Sequence, residues 1–245
     1  MRIHANMKMA DLVHINFDLL AVLQRLQIPF GFKDKSVATV CKESDVDVNF
    51  FLALTQWFID RKELPQAELM HYPPKWIIGY LQHTHSCYLT YQIPRLEKEI
   101  KQLDHIMNTP NQSAQLMVHF FKEYIREFSD HIEEEEKTAF PYILGIEKVI
   151  SGNLKYSDFL EEYPEYSIQK YLDNHTDLEE KIVDLQNILL KYIPPPSNNC
   201  HFTNLLVEIY RLGQDLKDHT LLEENVLIPQ VKEMEFTLTK MINTR

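Results

Sequence analysis

Three observations on the 245-residue sequence predict an all-α fold, an up-down-up-down four-helix bundle preceded by a small helical N-terminal module. Glycine is scarce, four long stretches carry apolar residues at helical spacing, and proline-rich or asparagine-rich breaks separate them. The five glycines compare with a usual share of roughly 7%, which disfavours a Rossmann domain, a glycine-rich phosphate loop or a turn-rich β-sandwich. With 25 basic and 36 acidic residues the net charge is −11. Clustered Lys and Arg are what nucleic acid and anionic membranes reward, so neither is an expected partner, whereas metal cations suit an acidic chain.

Residues 1–71 read as the small helical module, with apolar stretches at Leu12 to Ile28 and Asn49 to Ile59. Between them Ile28-Pro29-Phe30-Gly31-Phe32 is a turn, and Ser36 to Cys41 begins a short helix. Met70-His71-Tyr72-Pro73-Pro74-Lys75 cannot continue a helix through its proline pair, which places the boundary of a second domain, 72–245, at this point. The bundle helices are expected at about Trp76 to Ile106, Ser113 to Leu144, Glu165 to Ile193, and Cys200 to at least Leu227, where Pro229 bends or ends the last. The connection from Gly145 to Pro164 has room for a short helix of its own. The opening Met1 to Asn6 has no apolar run, and Phe50 to Ile59 is too short to span a bilayer, so a cytoplasmic protein is expected. Cys41, Cys87 and Cys200 form no Cys-x-x-Cys pair and read as reduced thiols.

Two segments repeat without a gap. His131 to Pro141 and His219 to Pro229 share His-x-x-x-Glu-Glu-x-x-x-x-Pro, 88 residues apart. Residues i and i+4 of a helix differ by about 40° in azimuth, so His131 with Glu135, and His219 with Glu223, point the same way and can share or bridge metal ions. The second glutamates, Glu136 and Glu224, lie about 140° from their histidines and should face solvent. His175 stands halfway between the repeats, 44 residues from each, and His85 lies 46 before His131. Every bundle helix thus owns one histidine at a similar level. Five of the eleven histidines have an acidic residue four positions on, several times the chance expectation. On the first helix His83 and His85 are about 200° apart and only one can face the core; the stripe of Leu81, Tyr88, Leu89, Gln92 and Leu96 selects His85, with His83 as the alternative. His119 and Glu123 read as a surface pair, while Glu179 and Glu134 are open as weak ligands or solvated acids.

Four histidines and two glutamates without thiolate exceed what one tetrahedral zinc requires and suit two ions, with iron the best match to nitrogen-rich coordination and open positions. None of the four histidines has a glutamate three residues before it, unlike the Glu-x-x-His of ferritin-like di-iron bundles.

Leu81-Gln82-His83-Thr84-His85 with Ile93-Pro94-Arg95-Leu96, His131 to Tyr142, His175, and His219 to Pro229 together resemble the hemerythrin-like (HHE cation-binding) family, most closely its bacterial branch related to iron–sulfur cluster repair proteins. The resemblance covers about Trp76 to Glu235. It implies a carboxylate-bridged di-iron centre with His85, His131, His175 and His219 as terminal ligands and Glu135 and Glu223 as bridges. In oxygen-carrying members the third helix offers a second histidine where this chain has Glu179. Residues 1–71 are more distantly similar to the module that precedes the bundle in repair proteins, where a cysteine pair is common; here Cys41 is alone. A stress-response role in iron–sulfur cluster repair or iron donation is implied, with oxygen or nitric oxide as small ligands and an iron–sulfur protein as partner. The alternative is a di-iron oxygen or nitric oxide sensor that signals through residues 1–71 to a protein or DNA partner, the DNA version being disfavoured by the acidic balance. No nucleophile or acid/base constellation for catalysis is visible in the sequence.

Overall fold

The computed structural model describes residues 2–102, 112–173, 178–193 and 200–243. These residues are helical without a strand, apart from one isolated bridge between Lys8 and Ser36. Five short helices come first: α1 (Met9–Ile15), α2 (Leu19–Arg25), α3 (Val37–Glu43), α4 (Val48–Asp60) and α5 (Gln66–Leu69). Then come α6 (residues 74–101), α7 (112–150), α8 (Tyr156–Glu162), α9 (Ile168–Asp173), α10 (Leu178–Tyr192) and α11 (200–243). The expected third bundle helix is therefore α9 and α10, and His175 lies outside the described residues. None of the described helices is long and apolar enough to cross a membrane.

Each of α6, α7 and α11 contains one wide π-turn, at Tyr88–Gln92, Glu135–Ala139 and Glu223–Leu227. The cause is in the sequence. Each turn is followed by an x-Pro pair: Ile93-Pro94, Phe140-Pro141 and Ile228-Pro229. Proline has no N–H and its ring meets the carbonyl four residues back, which would kink a regular helix. Here the residue before each proline donates instead to the carbonyl five back, Ile93 to Tyr88, Phe140 to Glu135 and Ile228 to Glu223, and the helix absorbs one extra residue. Pro229 accordingly neither ends nor breaks α11, which runs on to Asn243.

Contacts divide the chain into two compact units. The first comprises residues 1–84 and 221–245. Its α4 starts at Asp47, whose side chain accepts from the N–H groups of Asn49 and Phe50 at 2.9 Å each, and stops at Arg61 in the left-handed region (φ 48°). The helix buries Phe50, Phe51, Leu54, Trp57 and Phe58, and Phe50 meets Tyr72 and Trp76 edge-on at 5.2 and 5.3 Å. Gln230 Nε2 donates to the carbonyls of Met70 and Tyr72 at 2.9 and 2.8 Å, satisfying two groups at the Pro73-Pro74 break that no helix takes up. Residues on both sides of position 71 thus pack together, and the division of the chain at 71/72 stands as a proposal about folding.

The second unit, residues 85–220, is built on a heptad-like core. Met117, Phe121, Tyr124 and Phe128 on α7, Leu178, Ile182, Leu185 and Leu189 on α10, and Phe202, Leu205, Ile209, Leu212 and Leu216 on α11 advance by steps of three and four and are all buried. From α6 come Tyr88, Ile93, Leu96 and Ile100, the five-residue step from 88 to 93 being the π-turn.

Candidate metal centre

The polar cluster of the second unit continues these apolar stripes. On α7 the steps after Phe128 reach His131 and Glu135; on α11 the step after Leu216 reaches His219; on α6 His85 precedes Tyr88. Side chains at such positions have no choice but to enter the core. His85, Glu135 and His219 are at most 7% exposed, and one donor atom from each lies within 4.8 Å of the others.

Glu135 is the hub. Its Oε2 is 3.0 Å from His85 Nε2, and its Oε1 is 3.3 Å from His131 Nε2 and accepts from the Tyr171 hydroxyl at 2.8 Å. His85 Nε2 is also 3.2 Å from His219 Nε2. On its other side His85 Nδ1 is 2.8 Å from Glu136 Oε1. A carboxylate can only accept here, so Nδ1 carries the proton and Nε2 is the nitrogen turned towards the cluster. A carboxylate behind the imidazole is the arrangement that fixes the tautomer and raises the basicity of a metal-bound histidine. Phe140 stacks on His85 at 5.7 Å with the rings 4° apart, and Tyr88 lies 6.2 Å from the His219 ring, so the cluster is walled by aromatic carbon.

The donor set fits a cation. Burial opposes charge on His85, yet hydrogen bonds and attraction from Glu135 and Glu136 outweigh it and push its pKa up to about 8. Burial likewise opposes charge on Glu135, and the hydrogen bonds from His131 and His85 hold it well below the usual range. A buried carboxylate of this kind needs positive charge beside it. Protonated histidine supplies that charge when no metal is present, and the space between Glu135 Oε2 and His85 Nε2, 3.0 Å apart and buried, marks where an ion would take the place of the proton.

The structure brings together His85, His131, Glu135 and His219 of the expected set. Glu223 is buried at the head of its π-turn, in the first unit. His83 goes elsewhere: Nδ1 bonds the Gly79 carbonyl at 2.6 Å and Nε2 meets Gln27 at 2.5 Å. Glu134 is exposed and Glu179 partly buried. Glu123 pairs with Arg126 at 3.1 Å. One expectation fails. Glu224 is exposed, but Glu136, at the equivalent place of its own π-turn, turns to His85, because Nδ1 of that ring on α6 offers it a donor at 2.8 Å. Tyr171 was missed as well, although Tyr171-x-x-x-His175 has the same four-residue step that singled out the glutamates.

Among curated proteins none matches the chain. The family model for the hemerythrin HHE cation binding domain matches residues 94–231, a span that begins nine residues after His85 and includes Glu135, His219 and all of α7. That span is more than half of the chain, and with the buried His and Glu donors inside an all-α bundle it places the protein in the hemerythrin HHE cation-binding family.

Proposed function

We propose that the protein is a non-haem di-iron protein whose carboxylate-bridged centre uses His85, His131, His175 and His219 as terminal ligands and Glu135 and Glu223 as bridges. The observation that carries this reading is the division of Glu135, with one oxygen towards His85 and the other towards His131. Glu223 enters by its repeat with Glu135 and His175 by its spacing. Iron held there would supply redox change and open positions for oxygen or nitric oxide. The chain's own contribution is to hold the donors: Glu136 keeps the proton on His85 Nδ1, and the aromatic walls keep bulk water from the imidazoles.

The biological role that suits this centre is a stress response in the cytoplasm, by iron donation or iron–sulfur cluster repair. A second reading, a sensor of oxygen or nitric oxide, is favoured by one feature: α6 and α11, which carry His85 and His219, also carry Trp76 and Gln230, on which the N-terminal helices pack. Iron-loaded protein incubated with an apo iron–sulfur acceptor under reducing conditions separates the two. Transfer of iron supports repair; absence of transfer, with a gas-dependent change in partner binding that needs residues 1–71, supports sensing.

A further inference from the structure

Glu135 Oε1 has two in-plane lone pairs, and one of them is already used. The Tyr171 hydroxyl, on a side chain only 5% exposed, donates to it at 2.8 Å, while His131 Nε2 stands 3.3 Å from the same oxygen. Oε2 faces the His85 ring instead, 3.0 Å from Nε2, the nitrogen an ion would take. The carboxylate is therefore held asymmetrically. A free carboxylate between two cations can rotate and close both oxygens on one of them. A hydrogen bond to one oxygen from a group fixed on another helix opposes that rotation. Tyr171 is fixed in this way: α9 is a short helix that buries Ile168 and Tyr171, and the Tyr171 N–H is bonded to the Ser167 carbonyl at 3.2 Å.

We propose that Tyr171 is a positioning residue of the metal centre, whose hydroxyl keeps Glu135 spanning two ions and prevents it from chelating one. The inference rests on the di-iron reading. It assigns to Tyr171 control over the second ion, the one on the His131 side, while the ion beside His85 and His219 depends on it little.

The test is an anaerobic calorimetric titration of the metal-free full chain with iron(II), for wild type, Tyr171→Phe and Ile168→Ala. Wild type should take two ions. Tyr171→Phe, which removes one oxygen atom, should leave the first step within about threefold and weaken the second by about 10- to 100-fold. Ile168→Ala loosens the packing of α9 without touching Glu135; it should lower the melting temperature of the metal-free protein and leave both steps within about threefold. Two unchanged steps in Tyr171→Phe, or equal weakening of both, overturns the proposal. So does an Ile168→Ala protein that loses the second ion as fully, since the effect would then belong to the docking of α9. A wild-type chain that takes a single ion overturns the di-iron reading itself, and this proposal with it, before any variant is compared.

Discussion

The apolar core of the second unit and its polar cluster occupy the same stripes of the same helices and follow opposite rules. From Phe202 to Leu216 on α11, and from Met117 to Phe128 on α7, each step of three or four residues adds an apolar side chain to the core. One step further the stripes carry His219, His131 and Glu135. The core region gains stability from every buried atom, roughly in proportion to area. The polar region must answer each buried charge with a partner, and its side chains come from four helices: Glu136 on α7 meets His85 on α6, Tyr171 on α9 meets Glu135, and His219 on α11 lies beside His85. Burial at a heptad position thus decides only that a side chain is inside. Whether it stabilises the fold or prepares a site depends on what meets it there.

The comparison breaks most sharply at Glu135. Glu135→Ala should release at least one iron and leave His85 and Tyr171 without their buried acceptor. Leu212→Ala, in the apolar region, should lower stability by about 2–5 kcal/mol and keep the metal. Metal analysis beside thermal melts of both variants checks this; equal loss of iron from both would mean that the two regions are not separable. A smaller effect belongs to the group behind His85. Glu136→Gln should weaken iron binding by about 10- to 100-fold, while Glu224→Gln, at an exposed position, should leave it unchanged.

pH acts in opposite senses on the two states of the site. In the metal-free protein the raised pKa of His85, from 6.5 to about 8, contributes roughly 2 kcal/mol of stability. That contribution is full below pH 6.5 and lost as pH rises through about 8. The depressed pKa of Glu135 contributes above its ordinary value of 4.5 and is lost as pH falls below it. Iron binding needs the proton on the cluster-facing nitrogen of His85 to leave, so affinity should rise through pH 8 and level off above it. Denaturant melts of metal-free protein and iron titrations across pH 6 to 9 would expose parallel slopes if this assignment were wrong. The smallest effect is expected at Gly213, where an added Cβ would come within 2.5 Å of Gln186 Nε2. That atom ends a flexible side chain, so Gly213→Ala should change stability by less than about 1 kcal/mol.

The sequence makes the helices and the choice of donors legible for the same reason. Apolar residues at steps of three and four define the stripes, and His85, His131, Glu135 and His219 are polar residues lying on them. His85 could be told from His83 by the stripe alone, and the bond of His83 to Gln27 is the structural counterpart. What a straight helical wheel cannot show is the extra residue before Pro94, Pro141 and Pro229. That residue keeps α11 continuous past Pro229, where the sequence pattern reads as a bend or an end. Tyr171 was hidden because a helix of 6 residues is too short to give a register from which its facing could be read. The packing of α4 on Tyr72 and Trp76 across the proline pair is tertiary, and the local signal of a break carried no word of it.

The central claim is a centre of two ions, and iron content measures it most directly. Protein expressed with iron supplementation and purified without oxygen should hold about two irons per chain, since the proposed set of four histidines and two glutamates is more than one ion needs. One zinc per chain, or no metal at all, would contradict it.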